Sequence, residues 1–223
     1  MSKLTWHGTG EREIEAGVSE VALFPMGVSG YETGVAWNGV TAINENPSGA
    51  DVTDLYADNI KYASMRSAEK FGFTIEAFTY PDEWAECDGS KEVTTASGVF
   101  LGQQGRKAFG LVYKSNIGDE AHPGMDKGYK LHIIYNSTAS PSSRGYTTIN
   151  DNPDAISFSW EANSTPVDVT GAYKATCEIT IDSTKANATN LGTLLDTIYG
   201  TSNSSPTLPT PDSVISTMSA ATT

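Results

Sequence analysis

Positive charge, cysteine, histidine and long apolar runs are all scarce in this sequence, and each scarcity removes a class of function. Lys and Arg number 14 against 27 Asp and Glu in 223 residues, for a formal net charge of −13 and a pI near 4.5. Gripping nucleic acid takes clustered cations that displace counterions from phosphate, and an anionic lipid surface asks for the same cations. A chain of this sign suits neither. No stretch approaches the roughly 20 apolar residues of a membrane-spanning helix. The N-terminal MSKLTWHGTGEREIEAG lacks the apolar centre of a secretory signal, so synthesis without export is expected. The two cysteines, Cys87 and Cys177, have no metal or redox spacing and are expected to be buried free thiols.

The chemistry that would make an enzyme is missing as well. Of the three histidines, His7 lies in the N-terminal arm, His122 in a Gly/Pro loop, and His132 on the more polar face of a strand, where a solvated or hydrogen-bonded ring is expected. No G-x-S-x-G, H-E-x-x-H or C-x-x-C occurs, and GVSG at 27–30 resembles the first only by letter. The glycine-rich GQQGRKAFG has no following Lys-Ser/Thr to cradle phosphate. Asp51, Asp54 and Asp58, three and four apart, would share one face if helical, but the spacing is not that of a calcium loop and reads as a solvated acidic turn. Pairs of acids for glycoside hydrolysis always exist among 27. That is permission without evidence. No catalytic, cofactor or metal site is expected. The four N-x-S/T triplets at Asn136, Asn163, Asn187 and Asn203 arise by chance in a chain this rich in Asn, Ser and Thr.

What the chain does have is a period of two, the signal of half-buried strands. FGFTIEAF sets Phe71, Phe73, Ile75 and Ala77 against Gly72, Thr74, Glu76 and Phe78. GYKLHIIY sets Tyr129, Leu131, Ile133 and Tyr135 against Lys130, His132 and Ile134. Ile156, Phe158 and Trp160 alternate with Ser157, Ser159 and Glu161, and Ala175, Cys177, Ile179 and Ile181 with Thr176, Glu178, Thr180 and Asp182. Shorter apolar runs occur at 18–25, 35–43 and 108–113, and the breakers NENPSGAD, GDEAHPGMDKG, STASPSSRG and NDNPD separate the segments. The pattern predicts a mainly β protein, an antiparallel sandwich or barrel.

Helix is rare. Pro81-Asp82-Glu83 starts a short one with Trp84 and Cys87 on one face and Gly89 as its stop. Leu191, Leu194, Leu195, Ile198 and Tyr199 form a helical stripe ended by Gly200. After the Ser/Pro-rich connector TSNSSPTLPTPDS, Thr210-Pro211-Asp212 starts a last amphipathic helix bearing Val214, Ile215 and Met218. The expected organisation is an arm at 1–13, a sandwich with its helix at 14–200, and a C-terminal arm at 201–223. Two segments, 44–59 and 82–107, are long for connections inside a sandwich and read as functional excursions.

The strings ETGVAWNGVTAINENPSGAD, LYADNIKY, FGFTIEAFTYPDEWAECDGS, VFLGQQGRKAFGLVYK, GYKLHIIYN and TINDNPDAISFSWE occur in that order. They closely resemble the major tail protein (tail tube protein) family of long-tailed siphophages and prophages, chiefly from Gram-positive hosts. The likeness runs from about 30 to 166 and continues more weakly through the C-terminal helix. It implies an antiparallel β-sandwich of the tail-tube type with a short flanking helix and a C-terminal amphipathic helix. It further implies homo-hexameric rings stacked into the tube of a virion tail, with tape-measure and tail-terminator proteins as partners, no cofactor and no enzymatic activity. DNA would pass through without specific binding.

Within that frame the residues suggest roles. An acidic wall repels phosphate, so the cation-free strand faces make Glu76, Glu161 and Glu178 candidates for lining the lumen. The two excursions would carry ring-to-ring contacts, with Arg106 and Lys107 of one subunit meeting Asp51 or Asp54 of the next. The final stripe, Val214, Ile215 and Met218, has no core of its own and is expected to dock between subunits or rings. The rival reading is a carbohydrate-binding sandwich of a capsid-decoration or tail-tip adhesin, served by exposed Trp37, Tyr56 and Trp84.

Overall fold

A computed structural model describes residues 4, 6, 8, 10–148 and 155–220. His7 and the NDNPD cluster at 150–154 lie outside the described residues. The elements are, in order, β1 (Ile14–Pro25), β2 (Val35–Ala36), β3 (Val40–Glu45), β4 (Ser48–Gly49), β5 (Val52–Ala57), β6 (Ile60–Arg66), β7 (Glu69–Ala77), α1 (Trp84–Cys87), β8 (Lys91–Val93), β9 (Ala96–Leu101), β10 (Phe109–Gly118), β11 (Gly128–Ala139), β12 (Phe158–Ser164), β13 (Glu178–Asp182), α2 (Ala188–Tyr199) and α3 (Pro211–Ser219). The protein is mainly β and its strand pairs are antiparallel, as the period of two predicts.

The main sheet runs β2-β1-β10-β11-β12-β7-β3, with β13 beside β11 and β4 beside β7. Strand β11 changes partner along one edge. Its first half pairs β13, from Lys130↔Asp182 to Ile134↔Glu178, and its last residues, Ser137 to Ala139, pair β12. Between the two lies Asn136, held at φ 46°, a left-handed conformation that Asn tolerates better than most residues. The sheet turns through this point. The β12-β7-β3 half then packs its inner face against β1, β10 and β11 around Leu23, Phe73, Ile75, Phe109, Ile134 and Trp160.

Helix α1 plugs one side of this core. Its Trp84 is fully buried, 4.9 Å from the Phe109 ring and 5.4 Å from Trp160. Cys87 from the same helix is a buried free thiol, as is Cys177. Burial pushes the Cys87 thiol up to about 12, so it stays protonated and unreactive.

The opposite face of β1, β10 and β11 is covered too. Ala22, Phe24, Val112, Leu131, Ile133 and Tyr135 pack under Leu191, Leu194 and Ile198 of α2. Burial on both faces explains why 18–25 and 108–113 read as continuous apolar runs, whereas β7 and β12, with one solvated face, alternate cleanly. Helix α2 begins where the Asn187 side chain accepts from the N–H groups of Thr189 and Asn190 and ends at Gly200, φ 76°.

Four expectations change. The strand expected from Ala175 begins only at Glu178, while Thr176 makes an isolated bridge to Val167. The excursions are built structure, with β4 and β5 in the first, which turns directly into β6, and α1, β8 and β9 in the second. The solvated acidic turn expected at Asp51, Asp54 and Asp58 is in part a strand, because Asp54 lies within β5 and only Asp58 in the turn to β6. The C-terminal stripe does not await a neighbour. Val214 is buried on its own subunit, Met218 packs beside it, and only Ile215 of the three stays 40% exposed. Asn190 of α2 donates to the carbonyls of Met218 and Ala220, and Asp212 accepts from Thr170. Leu208 lies so close on Gly110 of β10 that a Cβ there would overlap it. The apolar surface of α2 and β13 is within reach of the connector, and docking there forfeits none of the translational freedom that a second chain would lose.

Two tests follow from this packing. Leu208 and Val214 each bury a side chain worth about 1.5–3 kcal/mol, so deleting 208–223 is expected to lower the melting temperature by about 10 °C or more in a calorimetric scan. At the β13–α2 junction, the Lys185 ammonium together with the Thr184 hydroxyl and N–H holds the Asp182 carboxyl down at about 2. A depressed carboxyl stabilises the fold above its ordinary value of 3.8 and stops doing so as pH falls through about 2. Asp182→Asn should therefore be less stable than the parent at pH 6, with the gap closing by pH 2 in urea titrations.

Candidate functional site

Two features stand apart from an ordinary packed sandwich. One is the hairpin β5–β6, which forms a sheet of only two strands. Its turn residues Asp58 and Asn59 both have positive φ, 50° and 63°, the geometry that joins twisted strands with a two-residue loop. Its base is tied by Asp51 N–H to the Ser67 hydroxyl at 2.9 Å and Ser67 N–H to the Asp51 carbonyl at 2.9 Å. Asp54 takes Lys61 at 2.8 Å and the Ser64 hydroxyl at 2.6 Å, and these hold its carboxyl below the usual range. The hairpin carries Val52, Leu55, Tyr56, Ile60, Tyr62 and Met65, all exposed, with Tyr56 at 70% and Tyr62 at 76%. A lone two-stranded ribbon is marginal in water, and this one presents both apolar side chains and open edges.

The second feature is a groove of ≈ 790 Å³ where β1 and β3 run beside each other, lined by both halves of the sheet. Tyr113 of β10, His132 of β11 and Thr180 of β13 are directly opposed on successive strands. The His132 ring stacks on Tyr113 with centroids 4.6 Å apart and is 12% exposed. Its Nδ1 lies 3.1 Å from Glu178 Oε1 and 3.9 Å from Glu45 Oε1, and its Nε2 lies 3.0 Å from the Ser115 hydroxyl. The Tyr113 hydroxyl donates to Glu45 at 2.5 Å, Ser115 donates to Glu15 at 2.5 Å, and Lys130 pairs with Glu15. Burial, then the Glu45 carboxylate, pushes the Tyr113 hydroxyl upward, so it remains a donor. Burial alone would raise Glu178, but the His132 ring beside it and the Thr180 hydroxyl outweigh it and hold that carboxyl low. Glu15 is likewise held low, by Lys130 and Ser115 against burial. Among the described residues, Glu45, His132 and Glu178 form the group able to offer three ligand atoms to a metal ion.

The residues singled out from sequence fall into several places. Glu76 and Glu161 share the outer face of β7 and β12 with Thr74 and Ser159, and β3 adds Asn44 opposite Thr74. That face holds no Lys or Arg from Gly72 to Glu76. Glu178 is not on it: it belongs to β13 and engages His132, at the edge of the groove that Asn44, Thr74 and Glu76 also line. Arg106 is not a free cation: with Arg144 it converges on Asp88, which is buried, and it also donates to the carbonyls of Ala139 and Ser140. Lys107 pairs with Glu86 at 2.5 Å and Glu32 at 3.1 Å. With buried or clustered acids at hand, both cations are engaged within the chain and not with Asp51 or Asp54. Asp51 is exposed at the base of the hairpin. Trp37 and Trp84 are buried in the core, which leaves Tyr56 alone of the three aromatics that would have served a sugar-binding surface.

Sequence reasoning missed the groove because its members come from β1, β3, β10, β11 and β13. The faint signal was His132 between the apolar Leu131 and Ile133, opposite a Tyr-x-Ser alternation at 113–115. Tyr113→Phe removes the donor to the Glu45 carboxylate and is expected to cost about 1–3 kcal/mol in urea unfolding at neutral pH. In comparisons with protein-family models and with curated proteins nothing matches the chain, so its function has to be read from its own residues and fold.

Proposed function

We propose that this chain is a structural subunit that assembles with copies of itself, six to a ring, into the stacked rings of a phage tail tube. The observation that carries this reading is the β5–β6 hairpin. It exposes six large apolar side chains on a two-stranded ribbon with unpaired edges, a surface that is stable only when something covers it. The occupant is a second copy of the chain. On a subunit at −13, most surface repels its like. From Val52 to Arg66, however, Asp54 and Asp58 are balanced by Lys61 and Arg66, so copies meet there without a charge penalty.

Two further features support a tube in particular. The strings from ETGVAWNG to SFSWE resemble tail-tube proteins over more than half of the chain. The outer face of β3, β7 and β12, with Asn44, Thr74, Glu76, Ser159 and Glu161, is small, polar and acidic, which suits the wall of a conduit that must not hold DNA.

Negative-stain microscopy of the purified protein tests the reading, with rings or tubes as the expected image. Ile60→Asp with Tyr62→Asp, both on the exposed ribbon, should leave the melting temperature within about 2 °C of the parent and abolish those assemblies. A parent that stays monomeric at high concentration, or a double variant that assembles as well as the parent, would count against the reading.

A further inference from the structure

We propose that Glu45, His132 and Glu178 bind one divalent transition-series cation, which ties β3 to β11 and β13 across the groove. The case begins with the direction of the hydrogen bonds. Glu15 is a carboxylate and only accepts, so the Ser115 hydroxyl donates its proton to it at 2.5 Å. The Ser115 oxygen is then left as an acceptor toward His132 Nε2, 3.0 Å away. Nε2 must carry a proton. In the neutral ring Nδ1 is consequently a bare lone pair.

That lone pair faces two more acceptors, Glu178 Oε1 at 3.1 Å and Glu45 Oε1 at 3.9 Å. The neighbouring donors are already directed at the carboxylates from outside: Tyr113 gives its proton to Glu45 and Thr180 to Glu178. Three electron-pair donors therefore converge on one point, with their ligand atoms all within 4.8 Å of one another. Lys130 is held by Glu15, and Glu76, which also lines the groove, adds negative charge. A cation at the point of convergence resolves the repulsion.

The dimensions suit a metal ion. Bonds of about 2.0–2.2 Å to nitrogen and oxygen set neighbouring ligand atoms roughly 3.0–3.5 Å apart, so the 3.1 Å pair is in place and the 3.9 Å pair closes by a few tenths of an ångström. One imidazole with two carboxylates favours zinc, cobalt or manganese over calcium and magnesium, which prefer all-oxygen sites. The Nε2–Ser115–Glu15–Lys130 chain is the kind of outer support that fixes a ligating ring. Groove water would complete the coordination. Ring assembly plays no part in this geometry, so the site stands or falls separately from the tube.

The test uses the full chain, stripped with chelator and titrated with Zn2+ by calorimetry and with Co2+ by visible absorption. One equivalent is expected to bind, with visible cobalt bands that chelator removes. At a hundredfold excess of Zn2+ over its Kd the melting temperature should rise by about 5–10 °C. His132→Asn and Glu178→Gln should each abolish saturable binding, and Ser115→Ala should weaken it roughly 10–100-fold. His122→Asn, at an exposed imidazole paired with buried Asp119 away from the groove, should leave binding unchanged. Circular dichroism identifies any variant that fails to fold, and the remaining variant then decides. No saturable binding of Zn2+ or Co2+ by the parent, or binding that persists in folded His132→Asn or Glu178→Gln, overturns the proposal: a proton alone then holds the cluster together, or the metal sits elsewhere.

Discussion

Strand β11 shares one edge between two partners, and the architecture depends on how it does so. Up to Ile134 it pairs β13, and from Ser137 it pairs β12. A regular strand cannot serve two partners on the same edge without a change of direction, and Asn136 in the left-handed region supplies it. Because the sheet turns there, one half can fold over the other, and β1, β10 and β11 become central to two cores at once. The aromatic core with Trp84 and Trp160 lies on one side, and the helical core under α2 and α3 lies on the other. Ser137, fully buried, settles its hydroxyl against Ser164 across the new pairing at 2.7 Å.

The same turn opens the groove. Where β12 leaves β11, the β3 edge comes beside β1, and their polar residues meet without apolar cover. Acids are abundant and cations few, so charge pairing becomes selective. Lys114 holds Glu20 while lying over the Tyr129 ring, Lys127 holds Glu13 and Asp119, Lys130 holds Glu15, and Lys185 holds Asp182. Buried Asp88 takes two arginines, because an uncompensated carboxylate inside a protein is far more costly than an unpaired one in water. With these cations paired inside the chain, the charge left uncompensated is acidic, in line with the net −13.

The hairpin β5–β6 shows the opposite logic. Its form is local, set by alternating residues and a turn of two positive-φ residues, and nothing else in the subunit needs its apolar side chains. Within the subunit those side chains stay exposed. The C-terminal helix, equally amphipathic, finds its cover inside: the connector from Gly200 is short, and Leu191, Leu194 and Ile181 are close by. Two stripes of similar character thus differ in fate because of where the fold leaves open apolar surface.

Much of this was legible beforehand because it is local. The faces of β7, β11 and β12, the helix start at Thr210, the stop at Gly200 and the buried thiols all follow from side-chain period, a side-chain acceptor near free N–H groups, and composition. Asp51, Asp54 and Asp58 read as a solvated acidic turn, and Asp58 lies in one, but the β-branched and aromatic neighbours at 52–62 draw Asp54 into a strand. What only the tertiary structure decided involves partners distant in sequence. Arg106 meets Asp88 and Arg144 through three separate segments, and Trp37 is interior because Trp84 and Trp160 close over it. Glu178 turns from a solvated strand face to His132 and Glu45 because β3 folds back over β11. A period of two tells which residues share a face of a strand. Which face meets water is settled only when the sheet turns at Asn136 and lays one half across the other.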